Sequence, residues 1–315
     1  SMIRTKRQFS ILCGAFVAAG TFTAVAAKFD ITVPDPYTGS GDKYFGGNPG
    51  DSVSAPSGYR EDNEVENNAI ANQSWDLEGF VVNTPASGPS TLAIVAGFDM
   101  KSGNASNASG GNEFEMGDIF VRLNSPVNHL NTGANFNTGY DFVIHFTESA
   151  RDTSAAGNSA DWIPPVSYSV YSAGQVTSLA STVSESGGSG ALHAGLKWYA
   201  STTTGNAIYN GNANYTDNQT AAQLSGAGYS GYGDGVSGDG ANHDILSDIA
   251  LSWLAPYVNS TTTSIEFYTT MQCGNDVLTG RARPGQNITV PDGGSTVLLM
   301  GAGLTGLGLI RRRLF

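Results

Sequence analysis

The chain has 315 residues with 27 acidic against 15 basic side chains, a net charge of −12 and only 13% charged residues, about half the share of an ordinary soluble domain. That balance excludes a phosphate-backbone binder, which needs clustered Lys and Arg, so no nucleic-acid partner is expected. The length allows a sizeable core, and 41 Gly with many Ser, Thr and Asn suit an exported β-protein. In chain order, Arg4, Lys6 and Arg7 precede an apolar run, Phe9–Ala26, that closes on Ala24-Val25-Ala26. A basic segment, an apolar segment and an Ala-x-Ala exit read as a secretory signal helix over residues 1–27, cut by signal peptidase near Ala26 or Ala27. Cys273 is then the one thiol left in the mature part, and a single thiol forms no intramolecular disulfide.

Residues 28–289 read as one domain without a repeat. Strands are expected where apolar residues alternate: Leu92–Phe98, Ile119–Leu123, Tyr140–Phe146, Val166–Tyr171 and Ile265–Cys273, with a last one within Gly280–Thr289. Asp244–Leu254 fits either an amphipathic helix or a strand. Lys101–Asn112 and 201–242 are Gly/Asn-rich; the second is expected to be a long insert. Many strands without interleaved helices predict an all-β fold, an antiparallel β-sandwich or jelly roll. Its core is expected to hold Ile94, Phe98, Ile119, Val121, Phe142, Ile144, Val170, Phe267 and Met271.

The last segment, 290–315, runs Val290-Pro291-Asp292-Gly293-Gly294, then an apolar stretch Val297–Ile310, then Arg311, Arg312 and Arg313. The apolar stretch is shorter than the ~20 residues of a comfortable span, and the arginines behind it act as a cytoplasmic stop. Motif, marginal hydrophobic helix and basic stop in this order resemble the PEP-CTERM class of bacterial sorting signals, in the VPDSG/VPDGG variant. The resemblance implies an exosortase, a membrane Cys transpeptidase, as processing partner. It also implies cleavage near Val290–Gly294 and delivery to the cell surface or extracellular matrix, with membrane contact only through the transient end segments. Trp75-x-x-x-Gly79-Phe80, Val95-Ala96-Gly97-Phe98-Asp99, Gly117-Asp118-Ile119-Phe120-Val121, Gly139-Tyr140-Asp141-Phe142-Val143 and Met271-Gln272-Cys273-Gly274-Asn275-Asp276 also resemble segments of a group of exosortase-dependent surface proteins. That similarity implies a β-sandwich and no particular chemistry.

Catalytic signatures are missing from the sequence. It has no His-Glu-x-x-His and no Gly-x-x-x-x-Gly-Lys-Ser/Thr, and both Gly228–Tyr232 and Gly187–Ala191 miss the last Gly of a nucleophile elbow. Acid pairs such as Asp76 with Glu78 or Glu113 with Glu115 are too common among 27 acids to mark a glycosidase. His145, on the polar side of its strand, reads as a surface residue, and Cys273 as a core one. A structural calcium is the one cofactor suggested: Asp99, Asp118, Asp141, Asn275 and Asp276 stand at strand ends, where oxygens converge on a hard cation. The expected function is an exported, non-enzymatic surface or matrix protein. One alternative is a carbohydrate-binding module or hydrolase of extracellular polysaccharide, with Tyr209, Tyr215, Tyr229 and Tyr232 stacking on sugars. The other is a self-assembling adhesive or matrix protein.

Overall fold

The computed structural model describes residues 26–33, 43–44, 53–54, 64–65, 73–101, 103–105, 113–124, 139–146, 165–182, 196–232, 243–274, 276–286 and 288. In chain order the strands are β1 (Ala27–Asp30), β2 (Lys43–Tyr44), β3 (Val53–Ser54), β4 (Glu64–Val65), β5 (Gly79–Thr84), β6 (Thr91–Ala96), β7 (Asn104–Ala105), β8 (Glu113–Phe114) and β9 (Ile119–Leu123). They continue with β10 (Phe142–Phe146), β11 (Val166–Ser172), β12 (Val176–Ser181), β13 (Lys197–Thr203), β14 (Tyr209–Gln219), β15 (His243–Ala250), β16 (Ile265–Thr270) and β17 (Val277–Ala282), with helix α1 (Ala221–Gly226) after β14. Ten strands form one sheet in the order β1-β5-β6-β15-β14-β11-β10-β9-β16-β17, and every pairing between them is antiparallel. The expected all-β antiparallel class therefore holds. The expected end helices lie outside the described residues.

The sheet curls until its edges meet. One corner is β14: its first half pairs with β11, Tyr209 opposite Val170, and its second half with β15, Asn214 opposite Ser247. The other corner is the segment after β1, where Ile31 N–H donates to Phe80 O (2.9 Å), Val33 N–H to Thr279 O (2.8 Å) and Arg281 N–H to Ile31 O (2.7 Å). These bonds, with the Thr32–Gly280 bridge, join β5 and β17 through the Ile31–Val33 segment and give that part of each strand backbone partners.

Period-two alternation then sorts the side chains. Phe80, Leu92, Ile94, Phe142, Ile144, Val170, Phe267 and Met271 fill the inner core, and all nine core residues expected from the sequence lie in it. Phe80 and Phe267 meet across it at 6.0 Å between ring centroids. The outer faces are covered as well. Leu224 of α1, Tyr229 and Tyr232 pack on Val81, Ala93, Val95 and Ile245, while the β12–β13 hairpin brings Leu196 and Ala200 onto Phe120, Val143 and Tyr268. Strands covered on both faces read as continuous apolar runs, which is why Leu92–Ala96 has no polar face.

Two expectations change. Asp244–Leu254 is strand β15 followed by a 3-10 turn, Ser252–Leu254. The strand carries a bulge between Leu246 and Ile249, where Asp248 sits at φ +60°. The 201–242 stretch is no structureless insert over its described part: it holds the end of β13, all of β14 and α1. Small inward residues hide β14 from a hydrophobicity pattern. Gly211 lies under the Tyr168 ring, and a Cβ there would collide with it.

Candidate functional site

Buried ionisable groups must find partners; Asp118, Asp276 and Glu78 find theirs in backbone N–H groups, histidine or an amide, and Glu266 finds Arg281. Asp118, fully buried ahead of β9, accepts Phe146 N–H (3.1 Å) on Oδ1 and Ala200 N–H (2.7 Å) on Oδ2. The same Oδ2 lies 2.9 Å from His145 Nδ1. One carboxylate thus ties β9, β10 and β13. His145 stands between the rings of Tyr199 (5.0 Å) and Tyr171 (6.2 Å) and is only 9% exposed. The surface reading of this residue is corrected: the hairpin β12–β13 covers its outward side. Burial, and secondarily the Asp118 charge, push the Tyr140 hydroxyl up.

A second group surrounds the turn before β5. Glu78 Oε1 lies 2.6 Å from His243 Nδ1 and accepts a hydrogen bond from Gln73 Nε2. Asp76 offers its carbonyl to Gly97 N–H (3.0 Å) and Phe98 N–H (3.2 Å). Asp276 accepts the N–H groups of Leu77 and Val277, linking the turn to β17. Beyond the end of β6, Asp244 accepts Met100 N–H (3.1 Å), Asn218 N–H (3.2 Å) and the Tyr215 hydroxyl. Burial pushes Asp244 up to about 7; the Tyr215 hydrogen bond opposes that rise and the Asp99 charge adds to it. The Tyr215 hydroxyl is pushed up in turn, by burial and by Asp244.

The acids singled out for calcium are spread through this framework. Asp118 and Asp141 stand at opposite ends of the β9–β10 pair, since Ile119 faces Ile144 and Val121 faces Phe142. Asp141, exposed, accepts Leu123 N–H at 2.6 Å. Asp99, also exposed, accepts Lys101 N–H at 3.0 Å, a local turn bond. Asp276 belongs to the Leu77 turn, and Asn275 lies outside the described residues. Among the described residues no three His, Cys, Asp or Glu side chains gather around one ion position. The pairs that do form, Glu78–His243 and Asp118–His145, join residues 165 and 27 apart in sequence, and no local motif signals them.

The four tyrosines singled out for sugar stacking turn toward protein. Tyr229 is buried, with the Lys28 ammonium 3.5 Å from its ring centroid; Lys28 Nζ also donates to Ala227 O at 2.6 Å. Tyr232 is buried over Gly79. Tyr209, half-buried, stacks on Tyr168 at 6.2 Å. Tyr215, half-buried, is held by Asp244.

After β17 the chain makes one more turn and buries Ile288 in the core. The motif Val290, Pro291, Asp292, Gly293 and Gly294 follows and lies outside the described residues. Among the described residues no helix is long and apolar enough to cross a membrane. No curated protein and no solved structure matches the chain. Residues 289–314 match the VPDSG-CTERM motif, with Gly293 where the motif's name has Ser. The chain thus carries a PEP-CTERM-type sorting signal, and it is an exosortase-dependent, exported protein of the bacterial cell surface or extracellular space.

Proposed function

We infer that the part between leader and tail is a non-enzymatic β-sandwich displayed outside the cell, freed of its leader by signal peptidase and of its tail by an exosortase-type transpeptidase. The observation that carries this reading is where the buried carboxylates point. Asp118 and Asp276 turn their oxygens onto main-chain N–H groups, and Glu78 turns one onto His243 and Gln73. Carboxylates used this way hold strands together. Mass spectrometry of surface material from the native host tests the processing: peptides within Leu307–Phe315 should be missing there and retained in a strain without the transpeptidase. Turnover of glycoside, ester or peptide substrates by the purified protein, lost in a point variant, would overturn the non-enzymatic part.

A second reading, binding of extracellular polysaccharide, has its own observation. The outward row of β14 is exposed Asn210, Asn212 and Asn214. Ser169 and Ser167 of β11 donate to Asn210 (2.7 Å) and Asn212 (3.0 Å), and Asn214 donates to Asp248 (2.7 Å). A row of amides and hydroxyls offers donors and acceptors to neutral sugar hydroxyls. A glycan array on the wild type and on a variant with all three Asn changed to Ala separates the readings. Binding lost in the variant supports this second reading, and no binding by either protein removes it.

A further inference from the structure

The folded core reaches to the residue before the matched sorting segment. Past Ala282 the chain doubles back. Gln286 N–H donates to Arg283 O (3.1 Å), Gly285 N–H donates to Ile288 O (3.0 Å), and Pro284 bridges to Ile288. Gly285 takes φ +76°, a left-handed conformation that costs Gly nothing. This turn drives Ile288 into the inner core, where it is 1% exposed. The matched sorting segment begins at the next residue, 289.

We propose that the turn closed by Gly285 and Ile288 is a latch, and that Ile288 is a positioning residue for processing: it must leave the core before the sorting motif enters the transpeptidase. This rests on the reading of the tail as an exosortase substrate. A cut at the motif requires the chain to lie extended in a cleft, with residues held on both sides. With Ile288 docked, at most about 7 Å of chain separates it from Val290. One layer of packed protein is about 10 Å thick, so a cleft wall does not fit between the domain and the motif. On the other side, at most about 25 Å of chain links Val290 to the apolar stretch at Val297, so the motif cannot move far from the membrane. The remaining freedom is local. Among the described residues the turn is held by the bonds of Gly285 and Gln286, the Pro284–Ile288 bridge and the buried Ile288, a unit small enough to open locally.

While the latch is closed, only the released fraction is substrate, and the apparent rate falls by that fraction. One fully buried isoleucine is enough to lower it roughly tenfold or more. The test is a pulse-chase of the full chain in its native host, following loss of the tail by mass. Three chains are compared: wild type, Ile288→Ala, and a chain with six Gly/Ser residues inserted between 288 and 290. The inserted chain keeps Ile288 docked and moves the motif clear of the domain, so it reports on the latch even where Ile288→Ala weakens the fold. Both variants should be processed roughly tenfold faster or more, and combining them should add nothing beyond the insertion alone. Equal rates for wild type and inserted chain overturn the latch. Slower processing of the inserted chain also overturns it, and would mean that the enzyme grips the domain itself. A wild-type chain that keeps its tail would instead overturn the sorting reading.

Discussion

Asp244 makes the stability of this protein depend on pH in an unusual direction. The residue is 6% exposed, and its carboxyl is pushed from an ordinary 3.8 up to about 7 by burial and the nearby Asp99. A raised carboxyl holds its proton more tightly folded than unfolded. It therefore favours the fold at low pH, and that contribution is lost as pH climbs from about 4 to about 7, at about 1.4 kcal/mol per pH unit. Between pH 5 and pH 8 the loss is about 3 kcal/mol. Asp244→Asn removes the titration. It keeps an oxygen for Met100 N–H and Tyr215 but turns an amide N–H toward Asn218 N–H, at a cost of about 1 kcal/mol. Urea unfolding of both proteins from pH 5 to pH 8 should show the variant gaining about 3 kcal/mol on the wild type as pH rises, so that at pH 8 the variant is clearly the more stable of the two. Other acids cancel in the difference. Parallel curves across the range would refute the reasoning, because they would mean Asp244 loses its proton as easily folded as unfolded.

Three further outcomes follow from the packing. Asp118→Ala strips the acceptor from two buried N–H groups, those of Phe146 and Ala200; at about 1–3 kcal/mol each the loss should be about 2–6 kcal/mol by urea unfolding, and a loss under 0.5 kcal/mol would mean that water replaces the carboxylate. Phe267→Ala empties a fully buried site against Phe80 and should cost about 3–5 kcal/mol, read as a fall in denaturation midpoint at unchanged slope. Calcium added to metal-free protein should raise the melting temperature no more than sodium chloride of equal ionic strength, since Asp118 and Asp276 already accept backbone N–H groups; a rise specific to calcium would establish the structural ion that the sequence suggests.

What the sequence reveals depends on how local the physics is. The sorting segment is linear chemistry, and Val290–Gly294 followed by an apolar stretch and three arginines is legible as it stands. Strands such as β10 and β16 are legible because large side chains alternate within them. β14 is not, because its inward row contains Gly211 and Ala213, whose fit depends on Tyr168 from another strand. His145 fails for a related reason: its sequence neighbours give it an outward face, and only the distant hairpin β12–β13 covers that face. The rings of Tyr229 and Tyr232 are alike. Set in a Gly-rich stretch they read as exposed, yet they are the cover over β5, β6 and β15.

The seam of the sheet brings the first and last described strands, β1 and β17, together. β1 begins at Ala27, where the leader is expected to be cut, and the segment after it bonds to β17, which ends shortly before the sorting motif. Closing that seam joins Val33 to Thr279 across most of the domain. Such long-range contacts cost loop entropy before they return anything and form late. Until then β5 and β17 present open edges, the usual template for pairing with another chain. A β1 segment free of its leader, with Lys28 resting on Tyr229 and Ala227, is the piece that closes them. The strand nearest one cut and the turn nearest the other thus serve the same end of the fold. The closure of the sheet rests on that seam, where the backbone bonds of Ile31, Val33 and Arg281 join its two edges.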